Sequence, residues 1–270
     1  MTRFASSIRR TPAVAARFVG LWMMARSYAP LLNPCARRKL MEDEARRTLL
    51  ALGVGIRRFG PTPPRDEPLL VVANHVSWLD VHVLSAGRGA RFVAKSETRD
   101  WPVVGTVTQA FDAIFIVRGS FRSAARTKEA VAAALRAGER VVVFPEATTT
   151  DGMTLGRFHP AMFQAAIDAG VRVLPVALRY VNDAGRPSRA AAFIDDMSFG
   201  GSLARVIAEP ALRAEVHFGV PLDSRGSSRR ELATEAHAVI ARTLALAPLP
   251  IHSAVSHPTP RPATLAPAVG

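Results

Sequence analysis

The sequence predicts an α/β fold: a mainly parallel mixed sheet covered by helices, with a basic N-terminal membrane-associating helix. Three observations carry this. Apolar strand-like runs at 69–73, 91–94, 113–117, 140–144 and 171–179 alternate with helical stretches at 78–86, 122–137 and 160–169, the order that joins parallel strands through crossover helices. The chain has 270 residues, 49% of them hydrophobic, enough for one large domain with a sizeable core. Residues 1–41 contain Arg3, Arg9, Arg10, Arg17, Arg26, Arg37, Arg38 and Lys39 and no acid.

The elements follow in chain order. Between Arg17 and Arg26 lies Phe18-Val19-Gly20-Leu21-Trp22-Met23-Met24-Ala25, much shorter than the roughly 20 apolar residues a membrane-spanning helix needs. Residues 1–39 therefore read as a basic leader lying in the membrane interface. The stripe Val14, Phe18, Leu21, Trp22, Ala25 has helical spacing, and Trp22 and the Met pair are expected to dip into lipid. The alternative is a helix packed on the protein's own core. Residues 40–247 form the main domain. It opens with a helix over 40–53 that ends near Gly53, followed by a Pro-rich loop at 61–68. The alternating strands and helices come next, with the 122–137 helix ending at Gly138 as a C-cap. A later strand pair is expected at 190–194 and 214–218, and an Ala- and Leu-rich closing helix at 229–246. The tail, 248–270, is dense in Pro, Ala and Thr and is expected to be disordered.

Charge and cysteine content bound the function. The formal net charge of +13 calls for anionic partners: an anionic membrane surface, a phosphorylated substrate or nucleic acid. Nucleic acid is not expected, because there are only two Tyr and the aromatics lie in apolar runs, away from the basic residues that a stacking surface would need. The competing class is a non-catalytic basic membrane- or nucleic-acid-binding protein. Cys35 is the only cysteine, so no internal disulfide forms, and no Cys/His cluster has zinc spacing. No metal is expected. A reducing location at the cytoplasmic face of the cell membrane fits, peripheral or monotopic.

The stretch Asn74-His75-Val76-Ser77-Trp78-Leu79-Asp80 follows the apolar run 69–73. Ser77 is a good helix N-cap and Asp80 lies three residues on, as in a capping box. His75 then sits in a turn, within reach of the Asp80 carboxylate, and an imidazole polarised by a carboxylate is a general base. The plain alternative is a capping Asp and a turn His that merely share a loop. Arg118 closes the apolar run 113–117, where it is either solvated or a phosphate ligand. Glu146 closes Val141-Val142-Val143-Phe144-Pro145, as a structural acid paired with an Arg or as a ligand for a hydroxyl. Thr148, Thr149 and Thr150 add hydroxyls. The chain contains no Gly-x-Ser-x-Gly elbow, which speaks against a covalent enzyme intermediate. Free N–H groups at the helix start after Ser77 are the candidate oxyanion donors.

In order, the blocks are Asn74–Asp80, Phe115-Ile116-Val117-Arg118-Gly119, Val143-Phe144-Pro145-Glu146-Ala147-Thr148 and Val173-Leu174-Pro175-Val176-Ala177. This series resembles the four-block signature of the glycerolipid acyltransferases, the 1-acylglycerol-3-phosphate acyltransferase family, over about residues 69–180. The resemblance implies fatty acyl transfer from a thioester to the free hydroxyl of a lysolipid. It implies His75 as base, Asp80 as its partner, and Arg118 and Glu146 in the acceptor site, with Thr148 beside them. The thioester is acyl-CoA or acyl carrier protein, a co-substrate, and no cofactor is implied. The third block departs from the family pattern. Ala147 replaces a Gly, Thr149 replaces an Arg, and Asp112 stands where a Gly is common before the second block. The lost cation weakens the case for phosphatidic-acid synthesis, and the Thr149-Thr150-Asp151-Gly152 extension resembles the branch that includes lyso-ornithine lipid acyltransferases. 1-Acylglycerol-3-phosphate is thus the first acceptor expected and lyso-ornithine lipid the alternative.

Overall fold

The computed structural model describes residues 2–64, 66–87, 89–101, 103–117 and 121–245. Arg118 and the tail 248–270 lie outside the described residues. The strands are β1 (Gly55–Phe59), β2 (Leu69–Ala73), β3 (Arg91–Lys95), β4 (Ile114–Ile116), β5 (Val141–Val143), β6 (Arg172–Val181) and β7 (Arg213–Phe218). The α-helices are α1 (Thr2–Ser27), α2 (Pro34–Leu52), α3 (Leu79–Ser85), α4 (Val104–Ala110), α5 (Phe121–Arg136), α6 (Phe163–Ala169), α7 (Phe199–Ala208) and α8 (Arg229–Leu244). Sheet order is β1-β7-β6-β2-β5-β3-β4. Every neighbouring pair is parallel except β6–β7, so the mainly parallel mixed sheet predicted from the sequence is what forms.

The centre of the sheet explains its sequence. In β2, Leu69, Val71 and Ala73 enter one apolar core and Leu70 and Val72 the other. A strand covered on both faces reads as an uninterrupted apolar run. The first core is closed by Val14 of α1, Leu49 and Leu52 of α2, Leu79 and Val83 of α3 and Val206 of α7. The second is closed by Val131 and Leu135 of α5, Phe163 of α6 and Leu232 and Ile240 of α8. Gly53 ends α2 at φ 72°, the left-handed conformation in which Gly is favoured. The structure begins α2 at Pro34, capped by the Asn33 side chain accepting from the Ala36 N–H at 2.9 Å.

Three expectations are corrected. Residues 190–194 are not a strand. β7 takes the antiparallel place beside β6 from Val176 to Val181, and 190–194 instead fold over the front of the sheet, with Ala191 and Ala192 buried. There the Phe193 N–H donates to the Val76 carbonyl at 3.0 Å. Second, α3 starts at Leu79, so Ser77 stands one residue outside the cap position. Its hydroxyl accepts from the Leu79 N–H at 3.2 Å. Third, most of the leader stripe faces the protein, with Trp22 left exposed. Val14, Leu21 and Ala25 are buried, and Phe18 lies edge-on to Trp78 and Phe199 at 6.2 and 5.9 Å. Arg17 pairs with the buried Glu44 of α2. Among the described side chains, the large apolar ones left exposed on and just after α1 are Val19, Trp22, Met23, Tyr28 and Leu31. Among the described residues no helix is long and apolar enough to cross a membrane.

Candidate active site

β2 ends at the front of the sheet, and the next residues turn sharply into α3. Asn74 pins that exit. Its side chain donates to the Leu178 carbonyl at 2.9 Å and accepts from the Leu178 N–H at 2.7 Å, tying β2 to β6 just before the turn. His75 follows, with its side chain partly exposed at 22% and Asp80 fully buried.

The Asp80 carboxylate is fully engaged. Oδ2 lies 2.8 Å from His75 Nδ1 and accepts the Val76 and Ser77 N–H groups at 2.7 and 2.9 Å. Oδ1 accepts the Tyr180 hydroxyl at 2.7 Å. A carboxylate only accepts, so Nδ1 carries the proton and Nε2 presents its lone pair. The imidazole also stacks on Phe144, with centroids 3.9 Å apart and planes 12° from parallel. The ring is therefore fixed by an ion-dipole contact at one edge and by an aromatic face. That is the geometry of a general base.

The loop after β5 holds His75 by its backbone. Glu146 Oε1 accepts the His75 N–H at 2.7 Å and Oε2 the Gly156 N–H at 2.6 Å. Thr150 N–H donates to the His75 carbonyl at 2.8 Å. Burial pushes the Glu146 carboxyl up to about 7, against the two amide hydrogen bonds that favour its charged form. The sequence offered Glu146 as an Arg partner or a hydroxyl ligand; the structure has both of its oxygens on backbone amides that shape the loop. A Cβ at position 156 would lie 2.9 Å from Oε2, so a larger residue there would displace the Glu146 carboxylate. Thr148 is exposed beside this loop, whereas the Thr149 hydroxyl donates to the Phe193 carbonyl.

Two departures from the family pattern have visible consequences. Ala147 sits at φ 58° and Asp112 at φ 57°, so both positions adopt the left-handed conformation without being Gly. Asp112 gains a partner: Arg37 Nη1 reaches its two oxygens at 2.7 and 2.6 Å. Of the N–H groups expected as oxyanion donors after Ser77, those of Leu79 and Asp80 are already engaged. The amides of Val76 and Ser77 are spent on Asp80, that of Leu79 on Ser77 Oγ, and that of Asp80 on the Ser77 carbonyl at 3.1 Å. Among the described residues no group of three or more His, Cys, Asp or Glu side chains is arranged to hold a metal.

Sequence reasoning singled out His75, Asp80, Glu146 and Thr150 but missed Tyr180, Phe144 and Gly156. One signal was available: a lone Tyr in a strand otherwise apolar on that face needs a partner for its hydroxyl.

A mainly parallel α/β sheet whose central strand delivers an imidazole oriented by a buried carboxylate is the arrangement of an enzyme site. The family model described as Acyltransferase matches residues 58–179. The chain belongs to that acyltransferase family, as the four-block resemblance implied. It is 37% identical over 197 residues, 73% of this chain and 77% of the relative, to the 1-acyl-sn-glycerol-3-phosphate acyltransferase of Neisseria meningitidis. It is 35% identical over 204 residues, 76% of this chain and 78% of the relative, to the lyso-ornithine lipid O-acyltransferase of Pseudomonas aeruginosa. The crystal structure of the 1-acyl-sn-glycerophosphate (LPA) acyltransferase PlsC of Thermotoga maritima shares the fold. Its TM-score is 0.61 at 21% identity, over 87% of this chain and 96% of that one.

Proposed function

We propose that this acyltransferase moves a fatty acyl group from a thioester to the free hydroxyl of a lysolipid, with His75 as general base. The observation that carries this is the 2.8 Å contact between His75 Nδ1 and the buried Asp80. The acceptor hydroxyl attacks the thioester carbonyl as His75 Nε2 takes its proton. Asp80 stabilises the imidazolium that results. The tetrahedral intermediate collapses to the ester, and the departing thiolate recovers the proton from His75. The donor is acyl-CoA or acyl carrier protein. Glu146 acts through the His75 backbone, and Arg118, carried over from the motif, is the phosphate ligand of the acceptor.

1-Acylglycerol-3-phosphate is the first acceptor. Lyso-ornithine lipid is the second reading, favoured by Thr149, which stands in the place of a cation and spends its hydroxyl on Phe193. The exposed Val19, Trp22, Met23, Tyr28 and Leu31, set among the leader's arginines, favour seating α1 on the anionic cytoplasmic face of the membrane. Thiol release from an acyl thioester, with lysophosphatidate and lyso-ornithine lipid offered separately, tests the reading. Release that depends on one lysolipid supports it and names the acceptor; thioester hydrolysis indifferent to both opposes it.

A further inference from the structure

The Asp80 carboxylate is held asymmetrically. Oδ2 receives His75 Nδ1 and two backbone amides, while Oδ1 receives the Tyr180 hydroxyl. The amides are fixed by the turn itself, so Oδ2 is located without help from Tyr180. The tyrosine contributes something else. It is 2% exposed and Asp80 is 0% exposed, so no water competes for the contact, and a hydrogen bond to a charged acceptor in such surroundings draws strongly on its charge.

We propose that Tyr180 is a positioning residue for acyl transfer, completing a Tyr180–Asp80–His75 chain in which its hydroxyl sets how firmly the carboxylate holds the imidazolium. The inference rests on His75 being the base. A donor on Oδ1 withdraws charge from the carboxylate that stabilises the protonated ring. Removing the hydroxyl strengthens that stabilisation, so the base stays protonated to higher pH. A more acidic phenol does the reverse. Tyr180 belongs to β6, which the Asn74 side chain clamps to the exit of β2. The donor is thus fixed by the sheet and the acceptor by the first turn of α3, not by a mobile loop.

The chain has two tyrosines, and Tyr28 is 53% exposed. In a Tyr28→Phe background, 3-fluorotyrosine therefore labels position 180 alone. The experiment measures thiol release against pH for three forms of that protein: unlabelled, fluorotyrosine-labelled and Tyr180→Phe. The acid limb of kcat should move to lower pH with fluorotyrosine and to higher pH with Tyr180→Phe, by about half a unit each, with KM within about twofold. The fluorine resonance should shift across the same pH range as the limb and lose that shift in His75→Ala. An unmoved limb in the labelled protein, or a resonance blind to that range, overturns the inference. The labelled protein decides the question even if Tyr180→Phe does not fold. His75→Ala separates the two claims: full activity there defeats the base itself, whereas an inactive His75→Ala with unmoved limbs defeats only Tyr180.

Discussion

Replacing Glu146 with Gln removes a buried charge while keeping the size of the side chain. In the native protein burial raises this carboxyl from 4.5 to about 7. Between those values the folded state holds a proton that the unfolded state has lost. The stability this proton contributes is fully present below about pH 4.5 and is lost as pH rises through about 7. At about 1.4 kcal/mol per pH unit, the loss approaches about 3 kcal/mol. Glu146→Gln cannot titrate, so its stability relative to wild type should climb over that window and level off above it. Gln also has a single acceptor oxygen, leaving either the His75 or the Gly156 N–H without a partner, at a pH-independent cost of about 1–3 kcal/mol. Urea unfolding of both proteins at pH 5, 6, 7 and 8 reads the two effects separately, one as a slope and one as an offset. A difference constant across that range would refute the burial reasoning. Turnover gives a second check. Because Glu146 touches the His75 backbone, the variant should lose kcat with little change in acceptor KM. A raised KM with unchanged kcat would instead make Glu146 a ligand of the acceptor.

Three further outcomes are expected. Ala147→Gly should leave turnover unchanged and raise the melting temperature by about 2–4 °C, because a left-handed non-Gly residue costs about 1–2 kcal/mol and Gly returns only part of that in entropy; a lowered melting temperature would contradict the strain at φ 58°. Arg118→Ala should lower kcat/KM for lysophosphatidate by about 10- to 150-fold, the worth of a charge-assisted hydrogen bond, with Arg118→Lys recovering part of it; indifference to both changes would make Arg118 structural. Replacing the exposed Trp22 and Met23 together with Ser should reduce co-sedimentation with anionic vesicles and leave the melting temperature unchanged; undiminished binding would put the membrane contact elsewhere.

The strands were legible because a strand buried on both faces is an unbroken apolar run, as in Leu69–Ala73 and Val141–Val143. β1 was not legible. It is an edge strand carrying Arg57 and Arg58 and is largely exposed, so nothing in its pattern separates it from a loop. α7 was hidden by Gly200 and Gly201, poor helix formers that the Ser198 cap compensates by accepting the Gly201 N–H at 3.1 Å. In the leader's stripe Val14, Leu21 and Ala25 are covered by the protein and Trp22 is not, since spacing says which residues lie together but not what covers them. At the site, His75 and Asp80 are close in sequence and could be paired from spacing. Tyr180 lies 100 positions from Asp80 and Glu146 71 positions from His75. Only the pairing of β2 with β6 and β5 brings them to one place.

Thiol release by purified His75→Ala, with folding checked by circular dichroism, tests the central claim most directly. Loss of general-base catalysis should slow lysolipid-dependent turnover by about 10²- to 10⁴-fold in a protein that melts as wild type does. Turnover near the wild-type rate in a folded His75→Ala protein would contradict the mechanism.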